Sequence, residues 1–143
     1  MLPTSAQGLV VSAAVMVSDS RRQALTDEGK PIPEIQRIQA LLDTGASISA
    51  IDPTVLAALG VSATGKADIH TPSTQGVPIL SDTYDVFIGI FAGREGDVPF
   101  VSDTVQVTAS ILGNGIQALI GTDILKKCIL TYNGADECFT LAW

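Results

Sequence analysis

Two segments of eight residues resemble each other, and this internal similarity constrains the fold more than any other feature of the sequence. Residues 38–45 read IQALLDTG and residues 116–123 read IQALIGTD, so five of the eight positions are identical. In both segments an apolar run leads into a small, polar, turn-forming triplet, which is typical of a strand that ends in a tight bend. The similarity predicts two halves of one domain related by a local pseudo-twofold axis, because an array of short repeats would show further copies.

The composition is typical of one folded domain rich in strands and turns. The 143 residues fit a single domain at 1–143, although residues 1–7 could form an N-terminal tail. Apolar residues make up 46% of the chain and charged residues 16%, which excludes wholesale disorder. Thirteen Gly and seven Pro, scattered among many Val, Ile and Thr, favour a β protein over a helical bundle.

The charge of the chain argues against nucleic acid and anionic membranes as partners. The formal net charge is −7, and the eight Lys and Arg residues form no cluster larger than a pair. The longest apolar run, residues 8–17, is about half as long as a membrane span requires. It could be the core of a signal peptide, but no Lys or Arg precedes it, so we expect a first β-strand and a cytoplasmic protein.

The sequence offers no ligand set for a metal ion, because it contains a single His and no metal-binding Cys/His spacing. We therefore expect neither a metal nor an organic cofactor. Cys128 and Cys138 lie in a predicted hairpin whose turn we place at residues 133–136. In that register Thr131 faces Cys138, so we expect two buried thiols rather than a disulfide, and a reducing compartment.

Alternation of apolar residues and turn signals predict the order of the elements. Residues 18–30 are polar and are expected to form a long loop between the first two strands, which could pair as a hairpin. A short helix is expected to begin after the cap Asp52, with Pro53 in its first turn, and to end at Gly60. The other predicted elements are a turn at 113–115, a second short helix at 122–127, and strands at 8–17, 35–42, 84–91, 98–107 and 116–120.

The residues around Asp43 carry a resemblance to a known family. Residues 41–47, LLDTGAS, followed about seventy-five residues later by residues 118–125, ALIGTDIL, resemble segments of the retropepsin-like aspartic proteases, which include the retroviral proteases and their bacterial relatives. The resemblance covers about residues 8–141. It implies an all-β fold, namely a closed acid-protease β-barrel with one or two short helices, a flap hairpin and a C-terminal strand in a dimer sheet.

The resemblance implies that Asp43 is the catalytic residue of an aspartic endopeptidase. Hydrolysis by carboxylates requires two of them that share one proton, since two like charges a few ångströms apart cannot both ionise. The chain contains one Asp-Thr-Gly, and Gly121 stands at the position of Asp43 in the second similar segment. A homodimer would place two Asp43 side chains at its twofold axis, where they would act on a peptide or protein substrate. The shared proton implies that acidic pH favours activity.

The family also implies roles for the residues that follow Asp43. Thr44 would hydrogen-bond across the axis to the matching loop. The carbonyl of Gly45 would face the bound peptide, and Ala46 would line the cleft, with Ser47 completing the supporting loop.

Three further parts of the chain receive roles from the resemblance. Ile120 and Gly121 would form an apolar floor that orients the Asp43 loop, and residues 137–143 would contribute to the dimer sheet. A hairpin over about residues 69–78 would be the flap that closes over substrate and excludes water. Its tip consists of His70, Thr71, Pro72, Ser73, Thr74, Gln75 and Gly76.

The chain departs from the retroviral pattern at the dimer contact and at the flap. Ser47 stands where those enzymes usually carry an acidic residue, and Thr122 stands where they carry Arg. The ion pair that stabilises their dimer is therefore replaced by two hydroxyl residues, which leaves no orphan charge. The flap tip lacks their Gly-rich sequence, and residues 18–33 receive no role.

Two other interpretations remain open. The chain could be a non-catalytic module that keeps the fold for dimerisation or peptide binding. It could also be an unrelated small β domain in which Asp43 forms an Asx turn before Gly45. We interpret Asp123 as the cap of its short helix rather than as a second catalytic acid, and His70 as an exposed hairpin residue.

Overall fold

The computed structural model describes residues 1–69, 76–93 and 98–143. Within these ranges the chain forms eleven strands and three helices. The strands are β1 (Leu2–Pro3), β2 (Val10–Val17), β3 (Gln36–Leu42), β4 (Ala50–Ile51), β5 (Gly65–Ile69), β6 (Ile79–Phe91), β7 (Phe100–Val101), β8 (Val105–Ala109), β9 (Ala118–Ile120), β10 (Ile129–Asn133) and β11 (Cys138–Ala142). The helices are α1 (Asp19–Asp27), α2 (Pro53–Leu59) and α3 (Thr122–Leu125).

Six of the strands close into a ring, which confirms the prediction of a closed β-barrel. The path runs through β2, β3, β9, β4, β8 and β6, and β6 pairs back with β2. β6 takes part in several pairings because it is thirteen residues long. It also pairs with β5 near its start and with β7 near its end.

The interior of the barrel is filled by branched apolar side chains, as the alternation in the sequence predicts. Val86, Ile88 and Ile90 lie on one face of β6 and are fully buried. Val15 of β2 pairs with Ile88 and is also fully buried. Removing these side chains from water is the main force that holds the barrel together.

The two similar segments lie side by side in the barrel. β3 and β9 are parallel neighbours, in which Ala40 pairs with Ala118 and Leu41 pairs with Leu119. This register is the same as the alignment of the two segments in the sequence, so equivalent residues leave both strands at the same edge. The turn that begins at Asp43 therefore lies beside the turn that follows β9.

A second, three-stranded sheet joins strands from opposite ends of the sequence. β11 lies in its centre and pairs with β1 on one side and with β10 on the other. Residues 1–7, considered above as a tail, include β1, and Leu2 pairs with Phe139. The strand expected to supply a dimer sheet thus has both of its edges occupied within one chain.

The hairpin of β10 and β11 has a different register from the predicted one. Cys138 pairs with Asn133 rather than with Thr131. The turn starts one residue later because the side chain of Asn133 accepts a hydrogen bond from the N–H three residues further on, at 3.1 Å. Cys128 and Cys138 are free and only half-buried, so the prediction of two thiols is confirmed while their full burial is not.

There are three helices in the described ranges, whereas one or two were expected. The additional helix is α1, which occupies the polar stretch predicted as a loop, while β2 and β3 pair on either side of it as predicted. Ser18 caps α1 by accepting the N–H of Arg21, and Leu25 is its buried residue. The second predicted helix ends at Leu125 instead of residue 127. No helix among the described residues is long and apolar enough to cross a bilayer.

The first predicted helix has the expected limits. The side chain of Asp52 caps α2 by accepting the N–H of Thr54, and Pro53 occupies the first turn. Gly60 ends the helix with a φ of 64°, a left-handed conformation that favours glycine.

The predicted strand at residues 98–107 is divided into β7 and β8. At the break, the hydroxyl of Ser102 accepts the N–H of Ile88 at 3.0 Å, and the N–H of Ser102 donates to the carbonyl oxygen of Ile88 at 2.9 Å. The N–H and the carbonyl oxygen of Ile88 thus both bond to Ser102. The chain bends after Ser102, before β8 begins.

Candidate active site

Asp43 lies immediately after β3 and is fixed by two hydrogen bonds. Its N–H donates to the carbonyl oxygen of Ile120 over 2.9 Å, which extends the pairing of β3 with β9 by one residue. Oδ1 of its carboxylate accepts the N–H of Gly45 over 2.8 Å, which forms an Asx turn. No other hydrogen bond to this half-buried carboxylate comes from the residues that the structure describes. Within the described ranges, its Oδ2 therefore has no hydrogen-bond partner.

The loop after Asp43 rests on the residues that follow β9. The carbonyl oxygen of Ala46 accepts two hydrogen bonds from Thr122, from its N–H at 2.8 Å and from its hydroxyl at 3.2 Å. Gly121 allows this close approach, because a Cβ at its position would lie 2.7 Å from the same carbonyl oxygen. Ile120 and Gly121 therefore lie against the loop; their role as its floor, which the family resemblance implies, stays a prediction.

Ser49, which is not among the predicted site residues, ties the same two segments together. It is fully buried, and its hydroxyl donates to Oδ1 of Asp123 over 2.7 Å and accepts the N–H of Gly121 over 2.9 Å. Its own N–H donates to Oδ2 of Asp123 over 2.9 Å. The sequence feature that could have predicted this role is the position of Ser49 between Ile48 and Ala50. A hydroxyl in an apolar stretch needs a hydrogen-bond partner once it is buried.

Asp123 is this partner, and it is not the helix cap that the sequence suggests. The N-cap position of α3 is Gly121, and no side chain caps this helix. Asp123 lies in the first turn, where its Oδ1 also accepts the N–H of Ile124 over 3.0 Å. Both oxygens of Asp123 are therefore engaged within the chain.

A cavity of about 290 Å³, which we name the Asp43 cavity, lies beside this carboxylate. Of the predicted loop residues, Gly45, Ala46 and Ser47 line it, whereas Thr44 is exposed and does not. Asp68 of β5 adds a second carboxylate to the lining, which the sequence analysis does not predict. The remaining lining residues are Ile48, Ala50, Ile69, Thr108, Ser110, Leu112 and Leu119.

β5 and β6 form the arms of a hairpin that borders the Asp43 cavity. They pair antiparallel, and the last pair before the tip joins Ile69 to Ile79. Ile69 also lines the cavity. Of the predicted flap tip, Gly76 is exposed and has a φ of 80°. The other predicted flap residues fall outside the described ranges: His70, Thr71, Pro72, Ser73, Thr74 and Gln75.

The pKa values of several ionisable groups outside the Asp43 cavity are shifted by their surroundings. Lys127 hydrogen-bonds Asp103 at 2.8 Å, and this bond together with the positive charge lowers the pKa of Asp103. The hydroxyl and the N–H of Thr54 lower the pKa of Asp52. Burial raises the pKa of the Cys128 thiol. Among the described residues, no cluster of three or more His, Cys, Asp or Glu side chains could hold a metal ion.

The arrangement around Asp43 defines what the site can do chemically. One carboxylate oxygen is fixed by the backbone, and the other has no hydrogen-bond partner among the described residues, in a side chain that lines a cavity. Such a group can accept a proton from a water molecule, provided that the water and a substrate are held within hydrogen-bond distance. It can equally bind the N–H groups of an extended peptide.

Comparison with known proteins does not assign the chain to a family. A scan against protein-family models finds no match, and a search of the curated proteins finds no similar sequence.

Proposed function

We propose that the chain is one subunit of a homodimeric aspartic endopeptidase of the retropepsin type, with Asp43 as its catalytic residue. The observation that carries the proposal is the state of the Asp43 carboxylate. Its Oδ1 is held by the N–H of Gly45, and its Oδ2 is left without a partner among the described residues, beside a cavity. The closed barrel, with a hairpin bordering that cavity, supports the same function.

The second carboxylate of the dyad comes from a second subunit. The turn beside Asp43 carries Gly121 at the equivalent position, and the Asp123 of that turn is engaged by Ser49. Two Asp43 side chains at a twofold axis share one proton. The ionised carboxylate takes a proton from water, which attacks the scissile carbonyl carbon, and the protonated one donates to the carbonyl oxygen. The carboxyl group that took the proton from water then donates it to the amide nitrogen, and the other carboxylate takes a proton from a hydroxyl of the intermediate. The C–N bond breaks, which releases the amine and the carboxylic acid and restores the shared proton of the dyad.

The edges of the three-stranded sheet limit how two subunits can join. Both edges of β11 are occupied by β1 and β10, so a partner strand would have to add at an outer edge of this sheet. β10 presents Ile129 and Tyr132, whose exposed fractions of 70% and 62% are high for such large apolar groups. An unpaired edge with exposed apolar residues favours pairing with another strand.

Cleavage of a diverse peptide mixture, read by mass spectrometry between about pH 4 and pH 7, tests the proposal. The wild type is compared with Asp43→Asn, which keeps the shape of the side chain and removes its ionisation. Asp68→Asn is the matched control, because Asp68 lines the same cavity. We expect fragments from the wild type and from Asp68→Asn only. Fragments from Asp43→Asn, or no fragments from any of the three proteins, would count against the proposal.

A non-catalytic peptide-binding module is the second candidate. It is favoured by the Asx turn, which gives Asp43 a structural reason to be present. In that case peptides would bind to the wild type and to Asp43→Asn equally well and would leave both intact.

A further inference from the structure

A second and larger cavity, of about 440 Å³, lies beside the Asp43 cavity and has no role in the proposed cleavage reaction. We name it the Lys126 cavity. Its volume is within the range of cavities that bind small molecules or peptide side chains. The charged groups of its lining are Asp103, Asp123, Lys126 and Lys127.

The two cavities are neighbours. Ile48 lines both of them. On β5, Ala67 lines the Lys126 cavity, and Ile69, two residues further along the same face of the strand, lines the Asp43 cavity. An extended peptide held beside Asp43 would therefore reach the Lys126 cavity a few residues away from the scissile bond, after passing Ile48.

Among the described residues, the charged groups that line the Lys126 cavity leave one cation available. Lys127 is paired with Asp103 at 2.8 Å, and both oxygens of Asp123 accept hydrogen bonds from the chain. Lys126 is exposed and forms no ion pair with the residues that the structure describes. Its ammonium group can therefore bind an anionic group of a ligand in this cavity.

The rest of the lining suits a side chain with an apolar stem and a polar end. Ile48, Ile124 and Phe100 provide apolar surface, and Gln106 provides an amide. Thr83 contributes a buried hydroxyl that has no hydrogen-bond partner among the described residues.

From this arrangement we propose that the Lys126 cavity is a distal subsite that takes an acidic side chain of an extended peptide, with Lys126 as the residue that selects it. The proposal rests on the proposed function only in that the peptide is held beside Asp43. An exposed ion pair contributes about 0.2–1 kcal/mol, which corresponds to a preference of up to about fivefold for Glu over Gln.

The test measures binding as well as cleavage. Randomised peptides of about twelve residues are selected on immobilised Asp43→Asn and sequenced, and the best peptide is remade with Gln in place of its acidic residue. We expect enrichment of Glu or Asp at one fixed position, and binding of the Glu form about two- to fivefold tighter by fluorescence anisotropy at low salt. Adding Lys126→Glu to this protein should reverse the preference, so that Lys or Arg is enriched there.

Lys30→Glu is the matched control, because it makes the same charge change at a lysine that lines neither cavity and pairs with Glu28. It should leave the preference for Glu unchanged. Equal binding of the Glu and Gln peptides, failure of every peptide to bind, or an equal effect of Lys30→Glu and Lys126→Glu would overturn the subsite.

The same peptides are then offered to the wild-type protein and read by mass spectrometry. A preference for Glu without cleavage would support the subsite and refute the proposed protease. Cleavage without any preference for Glu would support the proposed protease and refute the subsite.

Discussion

The hydroxyl of Ser49 lies 2.7 Å from Oδ1 of Asp123, a residue 74 positions further along the chain. This bond joins the loop of Asp43 to the turn after β9, which are the two places where the similar segments end. The N–H of Ser49 donates to the other oxygen of the same carboxylate at 2.9 Å. The position of the candidate catalytic loop therefore depends on a buried polar contact that lies outside the Asp-Thr-Gly motif.

Ser49→Ala should destabilise the protein by about 2–3 kcal/mol, because it removes one hydrogen bond to a carboxylate and leaves the N–H of Gly121 without its acceptor. Urea unfolding followed by circular dichroism measures this difference. Ser47→Ala is the control, since Ser47 is an exposed serine in the same loop, and it should change the free energy of unfolding by less than about 0.5 kcal/mol. Equal effects of the two substitutions would show that the buried contact does not hold the loop.

Gly121→Ala should be far more damaging than Gly89→Ala, although both glycines are buried. A Cβ at Gly121 would lie 2.7 Å from the carbonyl oxygen of Ala46, whereas the nearest atoms to a Cβ at Gly89 are 3.7 Å away. We expect a loss of about 1–3 kcal/mol or more for Gly121→Ala, because the backbone has to move. Thermal unfolding of the two variants measures the contrast, and similar midpoints would contradict it.

Thr83→Val should stabilise the protein by about 1 kcal/mol. The Oγ1 of Thr83 is buried without a partner among the described residues, and Val has nearly the same shape without the unsatisfied hydroxyl. Thr131→Val, on the exposed part of β10, serves as the control for the change of side chain alone. A lower unfolding midpoint for Thr83→Val would mean that the hydroxyl has a partner, such as a bound water.

An excess of Asp43→Asn should inhibit the wild type if the dyad forms between two subunits. Mixed dimers contain one intact carboxylate and are inactive, so a tenfold excess should lower the activity to about a tenth. The experiment requires a protein concentration at which sedimentation shows a dimer. Asp68→Asn added in the same excess should raise the total activity. Undiminished activity in the presence of Asp43→Asn would rule out a shared site.

The free energy of unfolding should fall at acidic pH, because protonation of exposed carboxylates removes their ion pairs with lysines. Lys127 lowers the pKa of Asp103, and Lys30 lowers that of Glu28, chiefly through side-chain hydrogen bonds. A carboxyl group whose pKa is lower in the folded protein stabilises it above its unfolded-state pKa, and this contribution is lost as the pH falls through the folded-state value. Lys127→Gln should therefore raise the pKa of Asp103 in an NMR titration and leave that of Glu28 unchanged. An unchanged titration of Asp103 would show that the ion pair does not persist in solution.

The parts of the fold that the sequence predicts are those in which local chemistry and burial agree. In β6 the alternation of Val86, Ile88 and Ile90 marks the buried face, and in α2 the cap Asp52 and the left-handed Gly60 mark both ends. The closed barrel follows from the family resemblance, and the two similar segments pair within it in the register of their alignment.

The missed elements are those whose limits depend on contacts elsewhere in the chain. α1 is polar and has a single buried residue, Leu25, so its sequence resembles a loop. The register of the last hairpin depends on the side chain of Asn133, which fixes where the turn starts. An error of one residue in the predicted start of the turn therefore gives the wrong strand pairs. At the candidate site, the motif predicts Asp43. Ser49 and Asp68 are missed because they reach the site through contacts between segments that are far apart in the sequence.

The three-stranded sheet has a consequence for the order in which the protein folds. Thr4 donates through its N–H and its hydroxyl to the carbonyl oxygen of Glu137, which lies 133 residues later in the sequence. Every strand of the barrel lies between β1 and β10 in the sequence, so the barrel can close before β1 and β11 meet. Closing so long a loop is slow. Until it closes, the β1 of one copy can meet the β11 of another, so exchange of the N-terminal strand between copies would compete with completion of this sheet.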